Sequence, residues 1–395
     1  MLSPALPLLL FALTTATDAL VTRNSPITLP VVKRLQLTGE STIVDIERSR
    51  LDALRGRGLL RRQSASGEAD VAATNEGVNY VTTVGIGSPP IDYTLIIDTG
   101  SSNTFVGAEQ KYIPTASSVN TGERVSVSYG SGKFTGFEYE DTVQLSGLTI
   151  QRQGVAAATL AIGFGSGVDG ILGIGPTDLT IGTLSPNALG EIPTVTDNAY
   201  SQGLISEKSV GISFQPTTSE SATNGELTFG GADSSKYTGE LSFVPITTTA
   251  PANTYVGIDQ SITYGSSGLT ILTETAGIID TGSTLLYLAT DALDRYLNAV
   301  GASSEVDPAA GLYTISAANF ANLESLYFNI GSLNTVIGGN EDTIYLVVAD
   351  NQENTGSGLD FINGMVWLER FYVLYDSEKN QVGFATTSYT DATSN

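Results

Sequence analysis

The feature that most constrains this chain is a seven-residue segment that occurs twice. Ile96-Ile97-Asp98-Thr99-Gly100-Ser101-Ser102 returns as Ile278-Ile279-Asp280-Thr281-Gly282-Ser283-Thr284, 182 positions later. In each copy an apolar, β-branched run enters Asp-Thr-Gly and then a polar pair. A strand end fixes where the carboxylate lies, glycine permits close backbone approach, and neighbouring hydroxyls can hydrogen-bond the aspartate. One copy would read as an ordinary strand-turn. Two near-identical copies, each in its own half, point to a pair of carboxylates contributed by two related halves.

The rest of the composition narrows the chemistry. The 395 residues include no His and no Cys, which excludes His-assisted serine, cysteine or threonine catalysis and zinc sites of the usual kinds. Eighteen Lys and Arg against 41 Asp and Glu leave a net charge of −23, which argues against a nucleic-acid partner. Carboxylates, hydroxyls and a few cations remain, so hydrolytic chemistry here is expected to run on Asp or Glu, with neither a metal nor a cofactor.

The N-terminal region differs from the remainder. Residues 1–19, apolar around Leu8, Leu9, Leu10, Phe11 and Leu13 and ending in small residues, read as a secretory signal peptide. The alternative, a membrane anchor, needs a longer apolar run. Residues 20–62 hold nine of the 18 basic residues and four acidic ones, and end in dibasic Arg61-Arg62. A basic leader on an acidic body suggests a prosegment held by charge complementarity, the alternative being a basic helix on a solvated surface. From Val71 onward, short runs such as Tyr80–Val84, Tyr93–Ile97 and Val125–Tyr129 alternate with Gly, Ser, Asn and Pro clusters, the texture of an all-β chain. Short helices are expected near 196–202 and 289–300.

These residues resemble the pepsin-like aspartic proteases, over most of the chain after about Gly77. Between the two aspartates, Val127-Ser128-Tyr129-Gly130-Ser131-Gly132 resembles the family's flap hairpin, and Val168-Asp169-Gly170-Ile171-Leu172-Gly173 its glycine partner of the first turn. Phe361-Ile362-Asn363-Gly364 and Phe371–Asp376 resemble the matching C-terminal elements. The resemblance implies an all-β, bilobal fold with a cleft between the lobes, and the change of texture around Thr247-Thr248-Thr249-Ala250-Pro251 divides them, the first running through residues 63–245 and the second through 246–395. It also implies that Asp98 and Asp280 are the catalytic pair. Thr99 and Thr281 would tie the turns together, Gly100 and Gly282 would allow their approach, and Ser101 and Ser283 would hydrogen-bond the outer carboxylate oxygens. Tyr129, with Gly130 and Ser131, would close over substrate, although an aromatic packed on a hairpin is the plainer reading of Tyr129. Ile96, Ile171 and Ile278 fall where the family lines its central subsites, and equally suit plain core.

The departures from the family pattern are informative. Phe105 stands where the family usually has Trp, Asn363 where it prefers an apolar residue, and Met365 where Asp is common. Ser131 replaces the Asp of members that accept Lys beside the cut, so little preference for Lys is expected. Neither disulfides nor Asn-x-Ser/Thr acceptors are available to the chain. The run Gly165–Gly170 matches a dinucleotide fingerprint by spacing but leads into a strand-like segment, and 350–360 lacks calcium-loop spacing and reads as a solvated connection.

The expectation is a secreted, monomeric acid endopeptidase made as a zymogen, active between roughly pH 3 and 5. Its partners would be protein and peptide substrates with bulky apolar residues at the scissile bond, pepstatin-type inhibitors and its own prosegment, with neither nucleic acid nor membrane. The alternatives are a non-catalytic pepsin-fold binding or inhibitor protein and a glycosidase using two carboxylates.

Overall fold

The computed structural model describes residues 26–35, 43–60, 78–129, 132–217, 219, 221–308, 310–330 and 344–392. The signal-peptide reading, the dibasic pair and the flap residues Gly130 and Ser131 lie outside them.

Strands dominate, and their faces follow from sequence alternation. In Val119–Tyr129 the run Val125-Ser126-Val127-Ser128-Tyr129 buries its three large side chains and exposes both serines. Central strands read differently: Ser209–Phe214 and Phe371–Asp376 are buried throughout, because both faces of the sheet are covered where they pair. The two expected helices form over Val195–Ser201 and Thr290–Val300. The first starts on a reciprocal Thr194–Asp197 capping box. The second buries Ala292, Leu293, Tyr296, Leu297 and Val300 along one stripe and ends on Gly301 at φ +66°, the left-handed conformation that glycine adopts without strain.

A 14-stranded sheet spans the molecule and a six-stranded sheet builds much of the second lobe. At one end of the large sheet Thr238–Pro245 pairs with Gln381–Thr386, which pairs with Phe371–Asp376 and then Ser209–Phe214 and Ser221–Phe229. The leader strand Ile27–Leu35 comes next, antiparallel on one side to Ser221–Phe229 and on the other to Val78–Ile86. Ile91–Asp98 follows, then the first-lobe strands ending in Val119–Tyr129 and Leu184–Ser185. The leader is therefore part of the sheet that joins the lobes. The lone Trp367, fully buried, packs against Phe371 at a ring separation of 4.5 Å and edge-on to Phe328 and Phe384.

Two readings of loops resolve here. Gly170 opens the strand Gly170–Gly173, so the glycine run 165–170 precedes no helix. The segment 350–360 is not simply solvated: Asp360 is fully buried, accepting hydrogen bonds from Thr275 Oγ1 and from the backbone and hydroxyl of Ser357, and Asn351 Nδ2 donates to Leu359 O.

Candidate active site

Each repeated turn is presented by the same local construction. Ile91–Asp98 runs parallel to Gly170–Gly173, and Leu269–Ile279 runs parallel to Phe361–Asn363. Backbone bonds then lock the turns: Ile174 N–H donates to Asp98 O at 2.9 Å, and Asp280 N–H to Asn363 O at 3.1 Å. The two aspartates arrive at the interface between the lobes, 1% and 0% exposed.

The turns grip each other symmetrically. Thr99 N–H donates to Thr281 Oγ1 (2.9 Å) and Thr281 N–H to Thr99 Oγ1 (3.0 Å). Each hydroxyl donates in turn across the interface, Thr99 to Ile279 O (3.0 Å) and Thr281 to Ile97 O (2.9 Å). Both threonines are fully buried, where an unmade hydrogen bond is expensive, so the grip fixes the separation of the lobes at this point. Each carboxylate is held the same way. Gly100 N–H and Ser101 Oγ donate to the two oxygens of Asp98 at 3.0 and 2.5 Å, and Gly282 N–H and Ser283 Oγ to those of Asp280 at 3.0 and 2.7 Å. The glycines are required by space. A Cβ on Gly100 would lie 2.7 Å from Asp280 Oδ1, and one on Gly282 the same distance from Asp98 Oδ1.

The cleft is filled from the leader. Arg50, on the helix Ile43–Leu60, donates from Nη2 to both Asp98 Oδ1 and Asp280 Oδ1 at 2.6 Å and from Nε to Asp280 Oδ2 at 2.7 Å. Burial opposes ionisation of Asp280, but the Arg50 charge and hydrogen bonds, with Ser283 and Gly282, hold its carboxyl below the ordinary range. One turn earlier, Glu47 accepts from Thr284 N–H at 2.5 Å and from the Tyr287 hydroxyl, its carboxyl pushed up by burial. Leu51 and Leu54 pack with Tyr255, Ile278, Leu285 and Tyr287, and Tyr255 Oη donates to Leu54 O at 2.7 Å. The leader strand adds Lys33, whose ammonium lies 2.6 Å from the buried Glu369 carboxylate.

The remaining expected site residues are placed as follows. Tyr129 ends the first flap strand and is 4% exposed, its ring 5.9 Å from Phe105, 6.1 Å from Phe134 and 6.0 Å from Phe164. Phe105, in the place of the family's Trp, stacks on Phe134 at 4.1 Å. Ile96 and Ile171 are buried in that same aromatic cluster, and Ile278 lies under the leader helix. Asn363 makes a reciprocal pair with Gln260, each side-chain amide donating to the other at 3.0 and 3.2 Å, so the polar departure is buried and satisfied. The sequence reading missed Arg50, Glu47 and the Gln260 partner. Glu47, Arg50, Leu51 and Leu54 share a helical 3–4 spacing, the one signal that could have found the first two.

Comparison with known proteins agrees with the geometry. The family model for eukaryotic aspartyl proteases matches residues 79–387. Polyporopepsin from Irpex lacteus is 53% identical over 340 residues, covering 82% of this chain and 99% of its own length. Vacuolar protease A from Aspergillus fumigatus is 30% identical over 330 residues, 78% of each chain. A crystal structure of the aspartic proteinase from Irpex lacteus superposes with a TM-score of 0.79 at 45% identity, over 94% of this chain and all of that one. Twin Asp-Thr-Gly turns gripped by reciprocal threonines, on a fold shared with these enzymes, make the chain a member of the eukaryotic aspartyl protease family, a pepsin-like aspartic endopeptidase.

Proposed function

We propose that the chain is the latent precursor of a secreted, acid-acting endopeptidase in which Asp98 and Asp280 activate water and residues 20–62 are the inhibitory prosegment. The observation that carries this reading is Arg50, whose guanidinium spans both carboxylates from a leader that precedes the matched family region. With Arg50 in place, its guanidinium engages three of the four carboxylate oxygens and Ser101 Oγ the fourth, the atoms that water and a scissile carbonyl would use.

The mechanism follows from the pair once the helix has left. Two carboxylates this close cannot both ionise cheaply, so they share a proton, a behaviour for which this enzyme class is itself the standard illustration. The ionised member takes a proton from a water held between them while the protonated member donates to the carbonyl oxygen of the peptide bond. The tetrahedral adduct then collapses as the leaving nitrogen is protonated. Ser101, Ser283 and the two glycine amides hold the carboxylates in place, and the buried threonines keep their separation constant through both proton transfers. Ile96 and Ile171 beside the Tyr129 cluster, and Ile278 once uncovered, supply apolar walls that favour bulky residues around the cut, and Tyr129 with Gly130 and Ser131 closes over the substrate. The enzyme acts as a monomer, outside the cell, and pepstatin-type inhibitors occupy the same cleft. No helix among the described residues is long and apolar enough to cross a membrane.

The test is cleavage of a denatured protein substrate from pH 2 to 8, with and without pepstatin, by protein cut after Arg62. An acid-peaked, pepstatin-blocked activity is expected. Activity rising beyond about pH 7 would overturn the shared-proton mechanism. Absence of cleavage at every pH would leave a pepsin-fold binding protein.

A further inference from the structure

Away from the cleft, the first lobe contains a carboxylate that its own fold leaves unsatisfied. Glu138 lies on the strand Gly132–Leu145 at 5% exposure, and neither of its side-chain oxygens has a hydrogen-bond partner. The absence of a Cβ on Gly154 makes room for it: one built there would come within 2.8 Å of Glu138 Oε1. Glu138 is one of the residues lining a cavity of about 690 Å³ between the strands Val119–Tyr129, Gly132–Leu145 and Leu148–Ile162 and the segment leading to the helix Val195–Ser201, its two oxygens lying just beneath the cavity surface.

The charges around this cavity are nearly all of one sign. Glu123, on the first strand, accepts a backbone hydrogen bond from Asn187 at 3.0 Å. Glu140 is paired with the exposed Arg152 at 2.7 Å, so that cation is already engaged. Glu191 lies on the segment before the helix. On the helix itself Asp197 is paired with Lys208 at 2.7 Å. Three carboxylates, Glu123, Glu138 and Glu191, thus line the cavity without a cation paired to them among the described residues, Arg152 being engaged by Glu140. Leu184, Ile192 and Pro193 line the same cavity and supply an apolar wall. A hard metal ion needs several converging oxygens, and no group of three or more Asp or Glu among the described residues could hold one.

We propose that this cavity is a binding site for a linear aliphatic polyamine, with one ammonium on Glu138, others on Glu123 and Glu191, and the methylene segments against the apolar wall. A buried carboxylate without a partner is costly ionised, and a desolvated ammonium bringing its own charge is the group that relieves it. Charged heads joined by carbon chains suit a pocket lined by carboxylates together with leucine, isoleucine and proline. Burial, with the Glu140 charge adding, pushes the Glu138 carboxyl up to about 8, so the free site holds a proton near neutrality that the ligand must displace. The site therefore loads at neutral pH and empties in acid, independently of the Asp98–Asp280 cleft.

The test is isothermal titration of the full chain with spermidine at about pH 7.5, in two buffers of different protonation enthalpy. The wild-type protein is expected to bind one equivalent with release of up to about one proton. Glu138→Gln should weaken binding about tenfold or more and abolish the proton release, while E240Q, which removes an exposed carboxylate elsewhere, changes neither. Equal weakening in both variants, or equally tight binding of calcium chloride at matched ionic strength, would reduce the site to counter-ion attraction by an acidic protein and overturn the proposal. So would a wild-type titration without proton release, a readout that stands even if E138Q folds poorly.

Discussion

Replacing Arg50 by Met isolates what holds the precursor latent. The guanidinium makes three hydrogen bonds of 2.6–2.7 Å to two aspartates that are 0–1% exposed. Removing one partner of a buried ion pair costs about 3–5 kcal/mol, because the charge left behind is neither solvated nor compensated. Taking the lower figure, because the aspartates can relieve part of the strain by binding a proton, the helix is released about a hundredfold more often. The assay is hydrolysis of a fluorogenic peptide at about pH 5.5 by a full chain carrying Arg61→Ala and Arg62→Ala, so that turnover reports opening rather than removal of the leader. Arg50→Met should raise basal turnover by about two orders of magnitude, Arg50→Lys by much less, and Arg48→Met on the exposed face of the same helix by less than about twofold. The pH dependence adds an independent check. Against its burial, Asp280 is depressed in the docked state by the Arg50 charge, so its contribution to docking is present at higher pH and is lost as pH falls through the docked value. Glu47 is shifted the other way by burial, so it opposes docking at higher pH; below its ordinary value of 4.5 it is protonated whether docked or free and adds no slope. Acid opening therefore belongs to Asp280 and its bridge to Arg50, and should be steep in the wild type and nearly flat in Arg50→Met. Latency unchanged by Arg50→Met, or an equal rise in Arg48→Met, would refute this account.

Three further outcomes are expected. Asp98→Asn or Asp280→Asn should abolish turnover while leaving the circular dichroism of the folded chain unchanged, since each amide retains the shape but not the shared proton; substantial residual cleavage would reject the assigned roles. Glu138→Gln should flatten the pH dependence of stability, measured by urea unfolding at about pH 5 and pH 8. The folded carboxyl keeps its proton to about 8 where the unfolded one loses it near 4.5, so stability falls as pH rises across that window, by up to about 5 kcal/mol. Asn363→Leu alone should cost about 1–3 kcal/mol by stranding the buried Gln260 amide, whereas Asn363→Leu with Gln260→Leu should recover most of it, as a double-mutant cycle of unfolding midpoints will read.

What could be read from the sequence, and what could not, divides along a physical line. The aspartate turns were legible because their function is met locally: strand end, carboxylate, threonine, glycine and serine all lie within a few residues, so the requirement is written contiguously and twice. Their partners are distant in sequence, and Gly170–Gly173 and Phe361–Asn363 were legible only through the family resemblance. Arg50 was not singled out because nine cations in the leader are equivalent as composition, and only the docked orientation of one helix decides which reaches the aspartates. Glu138 carried a signal that went unread: Phe134, Gly136 and Glu138 alternate onto the buried face of one strand, so a carboxylate stands at an apolar register position. Asn363 was recognised as a departure, yet its meaning depended on Gln260, 103 positions away.

The leader's two elements are held by different physics, and that difference orders its release. The strand Ile27–Leu35 is bound mainly by backbone ladders on both sides, to Ser221–Phe229 and Val78–Ile86, and those bonds do not titrate. The helix Ile43–Leu60 has no strand partner; it is held by Leu51 and Leu54, by Glu47, and by the Arg50 bridge whose strength depends on ionised aspartates. Lowering the pH thus weakens the helix attachment first, while the strand stays in the sheet that joins the lobes. Hydrogen exchange of the full chain, followed by mass spectrometry from about pH 5 down to pH 3, should show helix amides losing protection before those of the strand. If the strand exchanged first or both together, release would be a single event in which the sheet gives way. Arg50 would then be a passenger on the helix rather than the contact that acid undoes.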